Sequence, residues 1–141
     1  MNNKKYKILL IDDDEMIRML FRDSFLIYGK NEFEVYTASN FEEAEQYLKI
    51  EKPDLIFLDL IFKEGPGEKP KGLEILKTLK DNPDYRNIDV VVYSGYEELG
   101  KEAMQYGAQK FLTKGIFLPK ELVDLARSFV TELKDKNKSE N

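Results

Sequence analysis

The stretch Pro53-Asp54-Leu55-Ile56-Phe57-Leu58-Asp59-Leu60 decides the reading of this chain. Leu55 to Leu58 is a continuous apolar run, the pattern of a strand buried on both faces of a sheet. Pro53 breaks the segment before it, because proline lacks the N–H that a helix needs. Asp59 closes the run with a carboxylate. Working back toward the start, Phe41 to Ile50 reads as a helix with Phe41, Ala44 and Leu48 on its apolar face and Ser39 or Asn40 as its cap. Phe33 to Ala38 is β-branched and aromatic, and reads as a strand. Glu15 to Tyr28 is helical, with Ile17, Leu20, Phe21 and Phe25 on one face and Gly29 and Asn31 closing it. Lys7 to Ile11 is a first apolar strand that ends in Asp12-Asp13-Asp14.

The same alternation continues past Asp59. Ile61 to Lys71 is a loop containing Gly65, Pro66, Gly67 and Pro70. Leu73, Leu76 and Leu79 mark a third helix, which Asn82-Pro83 ends. Val90 to Tyr93 is a strand. Glu97 to Tyr106 is a fourth helix with Leu99, Ala103 and Tyr106 facing inward, ended by Gly107. Lys110 to Thr113 is a short fifth strand. A last helix runs from Pro119 to Leu133, with Leu118, Leu122, Leu125, Ala126, Phe129 and Leu133 as its stripe, and Lys134 to Asn141 reads as a frayed polar tail. Five strand–helix units in strict alternation imply an α/β fold: a doubly wound parallel sheet with helices on both faces, in one domain over residues 1–133.

Composition narrows the chemistry. The chain has 141 residues, 42% of them hydrophobic and 35% charged, with a formal net charge of -5. That balance suits one globular domain and argues against binding nucleic acid or an anionic membrane. Cysteine and histidine are both absent. Disulfides, thiolate metal sites and histidine-dependent triads are therefore excluded. No apolar run approaches the ~20 residues of a membrane span, and Ile8 to Ile11 is too short for a signal peptide, so a cytoplasmic location is expected.

In a parallel sheet every strand's carboxyl end reaches the same edge, where such folds place their sites. Here those ends carry Asp12, Asp13 and Asp14 (first strand), Asp59 (third), Ser94-Gly95 (fourth) and Thr113-Lys114-Gly115 (fifth). Singly, each has an ordinary reading: Asp14 as a helix cap, Ser94 as a cap of the fourth helix, Lys114 as a surface lysine. Together they put several carboxylates, a hydroxyl and an ammonium in one place. Crowded carboxylates do not all ionise without a cation, and an all-oxygen set selects a hard ion such as Mg²⁺ over a soft one. A carboxylate in that setting can accept a phosphoryl group as an acyl phosphate. Lys114 and Ser94 would stabilise the transferring oxygens, and Gly95 would leave room for them.

Five ordered motifs then resemble those of bacterial response-regulator receiver domains: Ile8 to Asp14, Pro53 to Leu60, Gly72 to Leu76, Val91 to Gly95 and Gly107 to Lys114. The resemblance covers about Lys4 to Leu133. It implies a flavodoxin-like sheet of order 2-1-3-4-5. It also implies residue roles: Asp59 as phosphoacceptor, Asp13 and Asp59 as Mg²⁺ ligands with the Ile61 carbonyl, Asp12 acting mostly through water, Ser94 hydrogen-bonding the phosphoryl group and Lys114 pairing with it. The implied donor is a phosphohistidine on a sensor histidine kinase or phosphotransfer protein. The implied output is altered binding of an effector through the face of the fourth helix, fifth strand and fifth helix. No output domain is expected in residues 134–141.

Four features depart from the family pattern. The loop after Asp59 is longer than usual and carries Lys63, Glu64, Glu68, Lys69 and Lys71. Gly115 stands where proline normally follows the lysine, so a trans peptide or a looser loop is expected there. Phe111 takes the place of a switch aromatic that is often tyrosine. Ile61 and Tyr96 flank the site with bulk that should screen it from water, which leads to the expectation of a long-lived phosphoform. Two other function classes compete: a receiver-fold scaffold that binds without phosphorylation, which should have lost the acids or the lysine, and a phosphatase or phosphotransferase enzyme, which should carry a second acid at position 61 and a cap domain.

Overall fold

A computed structural model describes residues 4–63, 70–115 and 118–139, with side chains of the last helix as far as Thr131. Among them ten elements alternate: β1 (Tyr6–Ile11), α1 (Glu15–Tyr28), β2 (Phe33–Ala38), α2 (Phe41–Glu51), β3 (Leu55–Asp59), α3 (Lys71–Asp81), β4 (Asp89–Ser94), α4 (Leu99–Gln105), β5 (Lys110–Thr113) and α5 (Pro119–Ser139). All strand pairs are parallel, in the order β2-β1-β3-β4-β5. The order implied by the resemblance is the order observed.

The sheet's two cores follow from the period-two alternation of strand side chains. Ile56 and Leu58 of β3 point to one face, where they meet Leu9, Ile11, Val90 and Val92 and the apolar stripes of α2, α3 and α4. Leu55 and Phe57 point to the other, where they meet Ile8, Leu10 and Val91 with Phe21 and Phe25 of α1 and Val123, Ala126 and Val130 of α5. Every residue of β3 is buried. Phe57 packs edge-on against Phe21 with centroids 5.2 Å apart, and burying a side chain of that size contributes on the order of 2–3 kcal/mol.

Local chemistry sets the helix starts. Asp14 caps α1, its Oδ1 accepting from the N–H groups of Met16 and Ile17 at 2.9 and 3.4 Å. Asn40, rather than Ser39, caps α2: its Oδ1 accepts from Glu43 N–H at 2.9 Å, while Ser39 bonds the Glu43 carboxylate. Gly72 lets α3 come against the end of β3. A Cβ there would lie 2.2 Å from the Asp59 carbonyl oxygen and 2.3 Å from Leu60 Cα.

Several expectations need correction. Leu20 is 55% exposed, and Ser24 takes its place beside Phe21 and Phe25. At 3.6 residues per turn, positions 21, 24 and 25 share a face that position 20 only borders. Gly29 does close α1, as expected, its N–H bonding the Phe25 carbonyl, and the positive φ values fall on Lys30 and Asn31 just beyond it. Its role is space, since a Cβ would meet the Phe25 carbonyl oxygen at 2.3 Å. The fourth helix starts at Leu99, not Glu97, with no side-chain cap. In α5 the deepest residues are Val123, Ala126 and Val130, whereas Leu118 is 64% exposed. The segment from Lys134 to Ser139 is helical instead of frayed. Lysine, a good helix former, fills three of its positions, and no glycine or proline interrupts the run from α5. Gly65, Pro66 and Gly67, and the side chain of Leu133, lie outside the described residues.

Candidate functional site

Parallel pairing delivers the strand ends to one edge at matched heights. Ile11 is level with Leu58, Asp59 with Tyr93, and Ser94 with Thr113. Backbone bonds extend the sheet one residue further at three places: Asp12 N–H to Ala38 O, Leu60 N–H to Tyr93 O and Lys114 N–H to Ser94 O, at 3.0, 3.1 and 3.0 Å. Asp12, Asp59 and Ser94 are buried there, while Asp13 is half-buried.

Asp12, Asp13 and Asp59 each present a carboxylate oxygen within 4.8 Å of the others. Three hard oxygen donors at that spacing fit a divalent cation of the Mg²⁺ class, and nothing in the set favours a softer metal. The carboxylates are held by separate donors. Asp12 Oδ1 accepts from Asp14 N–H at 2.8 Å and its Oδ2 from the Tyr93 hydroxyl at 2.5 Å. Asp13 Oδ2 accepts from Lys63 N–H at 2.8 Å, which ties the start of the long loop back to the acids. Asp59 Oδ1 accepts from Ile61 N–H at 3.1 Å, and Oδ2 pairs with Lys114 Nζ at 3.2 Å. Ile61 itself is half-buried.

This crowding shapes the electrostatics. Burial pushes the Asp59 carboxyl up from the usual 3.8 to about 6, and the neighbouring Asp12 charge adds to it. The Ile61 N–H and Lys114 act in the opposite direction. Burial likewise raises Asp12, against the hydrogen bonds from Tyr93 and Asp14. Burial, then the Asp12 charge, drives the Tyr93 phenol well above its usual 10, so it remains a donor at neutral pH.

The remaining residues fall around this centre. Ser94 is not a helix cap; its Oγ accepts from Tyr96 N–H at 3.0 Å. A Cβ on Gly95 would meet nothing within 4 Å, so open space adjoins Ser94. The Lys114–Gly115 peptide is trans, as expected, and Gly115 has φ +84°, a conformation closed to proline. Phe111 is half-buried and leans on α4, where a Cβ on Gly100 would come within 3.0 Å of its ring. Tyr96 is 56% exposed. Lys71 makes a surface pair with Glu74 at 3.7 Å, while Glu64, Glu68 and Lys69 lie outside the described residues.

Reading the sequence missed Tyr93, which passed as one more apolar strand residue. The available signal was its hydroxyl: tyrosine in an otherwise valine strand needs a partner for that group once it is packed. Its ring also lies beneath Lys114, with Nζ 5.5 Å from the ring centroid.

Comparison with known proteins agrees with this geometry. Residues 8–127 match the model of the response regulator receiver domain. The polar-differentiation response regulator DivK of Brucella anthropi is 28% identical over 125 residues, spanning 87% of this chain and 94% of that protein. Sporulation initiation phosphotransferase F of Bacillus subtilis is 33% identical over 110 residues, spanning 77% of this chain and 81% of that one. The chain spans only 49% of the probable transcriptional regulator ycf27 of Pyropia yezoensis, to which it is 32% identical. Among solved structures, the receiver domain of NtrX from Brucella abortus superposes with a TM-score of 0.72 at 28% identity, covering 88% of this chain and 98% of that one. Given the acids of two strand ends and the lysine of a third gathered at one edge, and a family match across nearly the whole sheet, the chain belongs to the response regulator receiver family.

Proposed function

We propose that this chain is a phosphoacceptor switch in a two-component phosphorelay, with Asp59 as the residue modified. One observation carries the reading: Asp59 stands at the end of the central strand, within 4.8 Å of two further carboxylates and 3.2 Å from Lys114. Asp12, Asp13 and Asp59, with the Ile61 carbonyl, would hold Mg²⁺, which supplies positive charge against the transferring phosphoryl oxygens. The chain's own groups do the rest. An Asp59 carboxylate oxygen attacks the phosphorus of a phosphohistidine; the new O–P bond forms as the P–N bond breaks, and the imidazole nitrogen leaves with the electron pair. Lys114 moves its pairing from the carboxylate to the phosphoryl group. Ser94 turns its hydroxyl toward a phosphoryl oxygen, in the space beside Gly95. The half-buried Ile61 and the bulk of the exposed Tyr96 ring screen the acyl phosphate from water.

The donor is a sensor histidine kinase or a phosphotransfer protein, and the response is altered binding of an effector on the face of α4, β5 and α5. Phosphorylation would bias that face between two arrangements, with Phe111 moving by packing alone because it lacks a hydroxyl. The protein would catalyse only its own phosphorylation and dephosphorylation. The scaffold alternative gains no support, since the acids and the lysine are all in place. Purified protein incubated with a cognate kinase and ATP should acquire label that Asp59→Asn eliminates. Equal labelling of the variant would refute the assignment.

A further inference from the structure

We propose that Tyr93 is a positioning residue for the acidic pocket, its hydroxyl holding Asp12 in the orientation in which that carboxylate serves a bound divalent cation. This deepens the phosphoacceptor reading and rests on it. Tyr93 is level with Asp59 in the sheet register, yet its hydroxyl donates to Asp12 Oδ2 at 2.5 Å. The other Asp12 oxygen accepts from Asp14 N–H at 2.8 Å, and Arg18 Nη1 donates to the Asp12 backbone carbonyl at 2.8 Å. Each carboxylate oxygen therefore has one donor and keeps a free lone pair for a cation or its water. Among the described residues, Tyr93 is the side chain that donates to this carboxylate.

The tyrosine ring packs against the core shared by α1 and α5. It also borders an apolar groove of about 280 Å³ between α1 and α5, lined also by Ile17, Leu20, Leu118 and Leu122. The core packs the body of the ring, and the hydroxyl bond fixes its tip on Asp12. The same ring lies beneath Lys114. One side chain thus touches both signs of charge in the pocket: the hydroxyl acts on the cation-binding side, and the ring lies under the lysine. Phenylalanine separates the two, keeping the ring and removing the donor. Loss of an outer donor to a metal-binding side chain commonly weakens the metal about 10- to 100-fold.

The test is calorimetric titration of Mg²⁺ into the metal-free protein at neutral pH, for wild type, Tyr93→Phe and, as a remote control, Tyr47→Phe. Tyr93→Phe should bind about tenfold more weakly, at the low end of that range, and the control should match wild type. Equal binding by Tyr93→Phe would overturn the inference while leaving the phosphoacceptor reading intact. Tighter binding would also overturn it, by showing that the hydroxyl competes with the cation. Failure of wild type to bind Mg²⁺ would overturn both. A check without any variant uses wild type labelled with ¹³Cζ-tyrosine: Mg²⁺ should shift the Tyr93 resonance, and an unmoved resonance would refute the positioning role.

Discussion

Replacing Asp59 with asparagine should stabilise the metal-free protein, although it destroys the proposed phosphorylation site. Asp59 is 1% exposed and shares its pocket with two other acids. Burial and the Asp12 charge lift its carboxyl from 3.8 to about 6. A raised carboxyl is a penalty at neutral pH, because the fold must hold a charge that the unfolded chain carries freely. At 1.36 kcal/mol per tenfold change in proton affinity, that difference corresponds to about 3 kcal/mol at pH 7. The pairing with Lys114 is already contained in that value, so removing the charge altogether should yield about 3 kcal/mol of net stabilisation at most. The sign with pH follows. The penalty is full above about pH 7, shrinks as Asp59 protonates through about pH 6, and disappears near pH 4, where the unfolded carboxyl also protonates. Urea unfolding in chelator at several pH values measures the gap between wild type and variant. The gap should narrow as the pH falls and should close when Mg²⁺ is added to wild type at neutral pH. No gap at neutral pH, or one that widens on acidification, would refute the electrostatic account of the pocket.

Other consequences are as direct. Gly72→Ala places a Cβ 2.2 Å from the Asp59 carbonyl oxygen, so α3 must shift; a loss of roughly 2 kcal/mol or more in urea unfolding is expected. Gly115→Pro restores the usual family residue, yet proline cannot adopt φ +84°. The variant should lose about 1–3 kcal/mol, and equal stability would show that this loop rearranges freely. The phosphoform, followed by loss of radiolabel after removal of donor, should persist well beyond seconds because Ile61 and Tyr96 flank the site; a half-life of seconds would exclude that screening.

Much of this was legible because it depends on patterns that the chain writes locally. The apolar run before Asp59 marks a doubly covered strand, and strict alternation forces a parallel sheet with one functional edge. That logic alone gathers Asp12, Asp13, Asp59, Ser94 and Lys114. What escaped depends on contacts between distant residues. The Tyr93–Asp12 bond joins residues 81 apart, and a tyrosine in a strand looks the same whether or not its hydroxyl has such a partner. Leu20 and Leu118 line the groove between α1 and α5 and are exposed there; the first sits at the border of its helix's buried face, and the second lies just before α5 begins. The helix beyond Leu133 continues α5 with no breaker in its way, but its polar composition read equally well as a tail. Gly29 ends α1 as expected but with a negative φ, because the left-handed residues are Lys30 and Asn31, and Gly115 takes a left-handed conformation that only the fold reveals.

The central claim is that Asp59 accepts phosphate with help from the neighbouring acids and lysine. Intact-mass spectrometry after incubation with acetyl phosphate and Mg²⁺ tests it most directly. Wild type should gain one phosphoryl group, in a reaction that chelator suppresses and Lys114→Ala slows, and Asp59→Asn should gain none. A wild-type protein that stays unmodified under both acetyl phosphate and a cognate kinase, or an Asp59→Asn variant that is modified equally, would contradict it.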